Sequence, residues 1–320
     1  MSAAEERARG SGGQVRRVAR DSVILAGGSV ANGLLAYVFF ALTTRSLGAE
    51  QAAPVAVLWS YWALSAAVLT FAVQHWVIRT LAHDGHGGTV AASLPRIVAG
   101  GVVLSVLAGL VAYAFRETLF DVDGIAFPAM IAGVTAGSLF VGLVRGALAG
   151  RQRYRATAAS LAGENLVRVV VAILVAAADG GAEAFGVAMV VGSLIGLVWL
   201  SSLRFDAPEP AHAVGNPMAL LSGVAGGALL AQVALTGAPI VLAVIGGASA
   251  EVTSLFVALA VWRAPYLVAI GVTPQLTTAF TRLVVQRRVR LLASLRVVVV
   301  VAVAVGAGLA ALIGTTVLTP

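Results

Sequence analysis

The sequence predicts an all-α fold, a polytopic membrane bundle of about nine transmembrane helices, and three observations predict it. The chain is 59% hydrophobic and 11% charged, with a mean hydropathy of +0.96, whereas a soluble domain carries roughly 25% charged residues. Its apolar residues run in stretches of about 20, the length needed to cross a hydrocarbon core about 30 Å thick. Its 21 basic residues are all arginine, and most fall at alternate ends of those stretches. In chain order they are the five in residues 1–20, then Arg79 and Arg96, then Arg145, Arg151, Arg153 and Arg155, then Arg204, then Arg282, Arg287, Arg288, Arg290 and Arg296. The intervening connections hold only Arg45 and Arg116, beside Glu50, Glu117, Asp121, Asp123, Asp179, Glu183 and Glu251. This is the positive-inside pattern. It predicts a cytoplasmic N-terminus and, after an odd number of crossings, an extracytoplasmic Pro320.

Residues 1–20 are polar and arginine-rich and read as a disordered cytoplasmic tail. The apolar segment that follows, 22–44, is too long for a signal peptide and lacks a clear cleavage site, so it stays as the first helix. A tight turn at Leu47-Gly48-Ala49-Glu50 leads into the second span, 54–78. The loop 79–96 holds His83 and His86, but two histidines without suitably spaced acids predict no metal site. Spans 97–115 and 125–144 flank an acidic outward loop, and 156–178 and 184–203 follow. The stretch from Asp206 to Pro217 is the one Pro-rich polar linker, and such a composition shift marks a boundary. The predicted organisation is therefore a first six-helix lobe at 21–204, a cytoplasmic linker at 205–216, and a second unit at 217–320. That unit carries spans 217–243, 252–274 and 292–317. The turn Ile245-Gly246-Gly247-Ala248 echoes the one at Leu47-Gly48-Ala49, as expected of a parallel repeat. Glycines spaced by four residues predict close helix contacts on one face: Gly133 and Gly137; Gly142, Gly146 and Gly150; Gly192 and Gly196.

Composition also limits the chemistry. The chain has no cysteine, so neither a disulfide nor a thiolate nucleophile nor a Cys-based metal site is available. The formal charge of +7 is divided among short loops flanking apolar helices. It therefore points to anionic lipid rather than to nucleic acid.

Several stretches together resemble a known family. They are Leu47-Gly48-Ala49-Glu50, Arg79 at the end of the second helix, and the loop from Val144-Arg145-Gly146 to Gly150-Arg151-Gln152-Arg153-Tyr154. To these are added Glu164 to Arg168 in the fifth helix and Trp262-Arg263-Ala264-Pro265 with Pro274 in the eighth. The chain from about residue 18 onward resembles the polysaccharide (Wzx-type) flippases of the multidrug, oligosaccharidyl-lipid and polysaccharide exporter superfamily. The resemblance implies a MATE-like architecture of two six-helix lobes around a central cavity, in the inner cell membrane. It also implies alternating access that moves a polyprenyl diphosphate-linked saccharide, with membrane lipids and glycan polymerase or glycosyltransferases as partners. With nine spans, the second lobe would be incomplete, lacking its last three helices.

Charges deep in a bilayer cost several kcal/mol unless paired or hydrated, so each is a candidate. Glu164 and Arg168 are four apart on one helix face. At about 1.5 Å per residue from Arg155 they lie roughly 14 and 20 Å deep. They can form a structural ion pair within the helix or contribute to a ligand site. Arg263 has no acid within four residues on its own helix, so its compensation must come from another helix, water or an anion. A guanidinium matches phosphate oxygens two at a time. One arginine from each lobe, Arg168 and Arg263, can thus hold a lipid diphosphate, with Glu164 limiting the net charge. Asn32 on the first helix and His75 on the second complete the candidate substrate-binding set. Asn32 is equally suited to bond a neighbouring helix, and His75 to anchor at the interface beside Trp76. Pro265 and Pro274 should kink the eighth helix.

The leading expectation is a flippase-like transporter without cofactor, metal or catalytic residues, not an enzyme. A cation-coupled drug exporter of the same superfamily relies on an acid in the first helix, and none lies between Asp21 and Arg45. A non-transporting scaffold of a glycan assembly complex is the alternative from another class. A membrane glycosyltransferase would need paired acids at a membrane face, and the close pair available, Asp121 and Asp123, lies in a short outward loop.

Overall fold

A computed structural model of the chain describes residues 3–84, 87–205 and 236–262, with six further positions between 226 and 233. Every regular element among them is helical. Six of these helices are long and apolar enough to cross a membrane: Val23–Gln51, Ala53–His83, Gly88–Ala114, Ala126–Gly150, Tyr154–Ala177 and Ala182–Leu203. They overlap the first six stretches expected from the sequence, with one correction: the expected loop 79–96 is mostly helical, since helix runs to Asp84 and resumes at Gly88, nine residues before the expected start of the third span. The other three, 217–243, 252–274 and 292–317, lie wholly or partly outside the described residues, as do most of the linker 205–216 and His86.

Helix α1 (Ala3–Gln51) is helical from Ala3, where the composition had pointed to a disordered tail. Ala3, Ala4, Glu5 and Glu6 are good helix formers and extend the ladder of the apolar span. The turn at its far end needs glycine, because Gly48 has φ +75°. Pro54 then sits in the first turn of α2 (Ala53–Ser65), where a missing N–H leaves no ladder bond broken. A π-helical segment, Ala66–Phe71, joins α2 to α3 (Ala72–Asp84) within one span. Next come α4 (Gly88–Ala114) and the short surface helix α5 (Arg116–Phe120). Arg116 ties the end of α4 to the following loop, donating from Nε to the Asp123 carbonyl at 3.1 Å.

Helix α6 (Ala126–Gly150) is the centre of the bundle, with 17 of its 25 residues buried. Its glycines explain how its neighbours come so close. A Cβ on Gly142 would stand 2.9 Å from the Thr70 Cα, and one on Gly146 3.1 Å from the Gln74 Cα. On another face, a Cβ on Gly133 would meet Val190 at 3.1 Å and one on Gly137 would meet Ser193 at 2.6 Å. The predicted small-residue faces of α6 therefore do pack. A three-residue turn with Gln152 at φ +59° leads into α7 (Tyr154–Ala177).

Helix α8 (Ala182–Gly192) continues in 3-10 geometry over Ser193–Leu203, with a kink at Trp199. This corrects one sequence expectation. Gly192 and Gly196 do not share a neighbour: Gly192 packs on Arg168 of α7, and Gly196 on Phe140 of α6. At three residues per turn, positions four apart point about 120° away from each other.

Beyond the linker lie α9 (Ala238–Val244) and α10 (Ser249–Trp262). The turn between them places Gly246 at φ +84°. Helix α10 leans on the first hairpin. The Thr253 hydroxyl donates to the Ala49 carbonyl at 2.7 Å, and the Phe256 ring lies 4.1 Å from that of Phe40.

Candidate functional site

The charged residues of α6 and α7 meet inside the bundle. Glu164, ten residues into α7, is 3% exposed, and Arg168, one turn further, is fully enclosed. The i,i+4 pair read from the sequence is formed, with Arg168 Nη2 donating to Glu164 Oε1. The other carboxylate oxygen is also occupied. Arg145 of α6 donates from Nη2 to Glu164 Oε2 at 2.6 Å, and its side chain is itself 6% exposed. Arg145 also bonds Ser160 through Nε to the hydroxyl (3.2 Å) and through Nη2 to the carbonyl (2.9 Å).

Arg145 is the member of this cluster that the sequence reading did not include among its candidate site residues. It counted among the arginines marking the cytoplasmic end of a span, whereas α6 runs on for five more residues to Gly150. That leaves it about 8 Å inside the helix end. A signal was available. In a tight helical hairpin, residues equidistant from the turn lie side by side. Arg145 is seven positions before Gln152, and Ser160 eight after it.

The cluster carries two guanidiniums and one carboxylate, a side-chain charge of +1. An unbalanced charge in a medium of low dielectric constant is expensive unless dipoles surround it, and the surrounding groups supply them. Arg168 Nη1 donates to the Asn165 side-chain oxygen at 2.7 Å, and Nε reaches the Met189 carbonyl of α8 at 3.4 Å. The Asn165 amide nitrogen donates in turn to the side-chain and main-chain oxygens of Asn32, both at 3.0 Å. The guanidinium carbon of Arg168 lies 4.3 Å from the centre of the Trp62 ring and 5.5 Å from that of Trp59. Such cation–π contacts contribute more once the cation is desolvated, up to about 2 kcal/mol. Trp59 packs between Phe39 and Trp62, with ring centres 5.3 and 5.2 Å away.

Gly192 completes the enclosure. A Cβ there would fall 2.6 Å from both Cγ and Nε of Arg168 and 3.0 Å from the Glu164 carbonyl oxygen. Only glycine lets the arginine stem pass between α7 and α8. Arg168 thus presents no free surface in this conformation, and an anion could reach it only if Glu164, Asn165 or the tryptophans gave way.

The structure brings together Glu164, Arg168 and Asn32 of the expected set. His75 is half-buried on α3, beside Gln74, whose backbone packs on Gly146. Arg263, Pro265 and Pro274 lie outside the described residues. Comparison of the chain with protein-family models, with curated proteins and with solved structures gives no match.

Proposed function

We propose that this protein is a flippase-like transporter that moves a polyprenyl diphosphate-linked saccharide across the cytoplasmic membrane by alternating access, in the manner of the polysaccharide exporters it resembles. One observation carries the reading: a buried cluster of net charge +1, built from Arg145, Glu164 and Arg168, within a bundle of six membrane-length helices. Intramembrane ionisable residues generally line the path of a charged substrate, and a surplus guanidinium suits a diphosphate. In this reading Arg168 serves the first lobe, Arg263 the second, and Glu164 holds the first site closed while no cargo is bound. The arginine-rich ends of the spans face the cytoplasm.

The test is native mass spectrometry of the purified protein. The proposal expects co-purified polyprenyl diphosphate glycans, depleted in an R168M variant. Recovery of phospholipid alone, from wild type and variant equally, would count against it.

The second reading, a non-transporting scaffold of a glycan assembly complex, draws on the complete enclosure of Arg168. A purely structural cluster would leave the bound-lipid profile unchanged on substitution, and the protein would instead co-purify with a glycosyltransferase or polymerase.

A further inference from the structure

A 3-10 segment of eleven residues, broken by a kink at Trp199, is unusual in a membrane-length span, since runs longer than three or four residues are uncommon. The segment Ser193–Leu203 begins where α8 passes the charge cluster. At Ser193 the backbone N–H bonds to the carbonyl of Val190, three residues back, instead of that of Met189, four back. The Met189 carbonyl thus does not receive the Ser193 amide, and it is the one that Arg168 Nε reaches at 3.4 Å. The guanidinium takes the place of the amide an α-helix would have supplied.

The backbone at Trp199 is off the helical region, at φ −115° and ψ 26°. At the far end Arg151, from the α6–α7 turn, holds the segment extended. Its Nη1 donates to the Ser202 carbonyl, its Nη2 to the Arg204 carbonyl at 2.7 Å, and its guanidinium lies 5.0 Å from the centre of the Phe205 ring.

We infer that Ser193–Leu203 is a length switch set by Arg168: the guanidinium on the Met189 carbonyl holds the 3-10 register, and its departure lets the segment relax to an α-helix. A 3-10 helix rises about 2.0 Å per residue and an α-helix about 1.5 Å, so relaxation over eleven residues shortens the span by roughly 5 Å. That contraction pulls Ser202 and Arg204 from Arg151 and moves the end of the first lobe, next to the linker. The cluster inside the bundle is thereby coupled to the arginine-rich end. The coupling holds whatever draws Arg168 away, so it stands apart from the identity of any cargo.

The chain has no cysteine, so a spin-label pair can be introduced as E183C and R204C without other changes. Pulsed electron–electron distance measurement should give roughly 37 Å between these backbone positions in the extended form and roughly 32 Å in the all-α form. The otherwise unsubstituted protein should show mainly the longer distance. R168M, which keeps a long side chain under Trp62 and leaves Arg145 paired with Glu164, should shift the distribution shorter by about 5 Å. R151A should raise the shorter population as well, and it decides the matter should R168M fail to accumulate. A distribution identical in the unsubstituted protein and in whichever variants accumulate, or an unsubstituted protein already at the shorter distance, overturns the inference.

Discussion

Glu164 accepts from two guanidiniums at once, so its loss should be more damaging than the loss of either arginine. Glu164→Gln leaves Arg145 and Arg168 facing each other without a carboxylate, the case of a broken buried pair, and should cost about 3–5 kcal/mol. Arg168→Met leaves a neutral Arg145–Glu164 pair and should cost less. The double variant should be more stable than the sum of the single effects, because the second change removes a charge that the first left unpaired. Thermal denaturation of the detergent-solubilised protein reads all three; additive effects would mean that the two residues are not coupled. The glycines offer a sharper contrast. Gly192→Ala drives a methyl into Arg168 and should cost about 1–3 kcal/mol as overpacking. Gly100→Ala, with open space around it, should stabilise by about 0.5–1 kcal/mol through its helix propensity. At this scale the sequence showed the Glu164–Arg168 pair through its four-residue spacing. It hid Arg145 because an arginine five residues from a helix end looks like one belonging to that end.

Helices α4 and α6 have similar composition and opposite positions. Hydropathy finds both spans, since it reports length and apolarity, but it does not say which is surrounded by protein. On α4, Val103, Leu107 and Leu110 are each more than half exposed, an outward apolar face suited to acyl chains. On α6, Leu143 and Ala147 are buried against α3. A fluorophore on a single cysteine at 103, 107 or 110 should be quenched by brominated lipid, while positions 143 and 147 should be shielded from it. Equal quenching at both sets would refute the central placement of α6. The four-residue glycine spacings on α6 did announce its close contacts. The π segment at Ala66–Phe71 and the 3-10 run at Ser193–Leu203 had no such announcement. Neither contains proline; Thr70 in the first donates to the Ser138 carbonyl, and Arg168 reaches the Met189 carbonyl ahead of the second, contacts that no local pattern announces.

Six spans among the described residues, a buried surplus of positive charge, and a sequence that spaces its arginines at alternate ends of the apolar stretches make up the picture at the scale of the molecule. If the positive-inside pattern governs insertion, a cysteine at Arg153 should be labelled by a membrane-impermeant maleimide only after the cytoplasmic side is opened. One at Asp123 should be labelled from outside. The reverse result would invert the topology and, with it, the direction of transport. Arg263 was less legible than Arg168, since no acid stands within four residues of it to name a partner, and it lies outside the described residues. The transport account is tested most directly in proteoliposomes containing a fluorescent polyprenyl diphosphate saccharide. It predicts that wild-type protein exposes inner-leaflet lipid to an external quencher many times faster than empty vesicles, and that R168M and R145M abolish most of that gain while inserting normally. Wild-type protein no faster than empty vesicles, or both variants as fast as wild type, would contradict it.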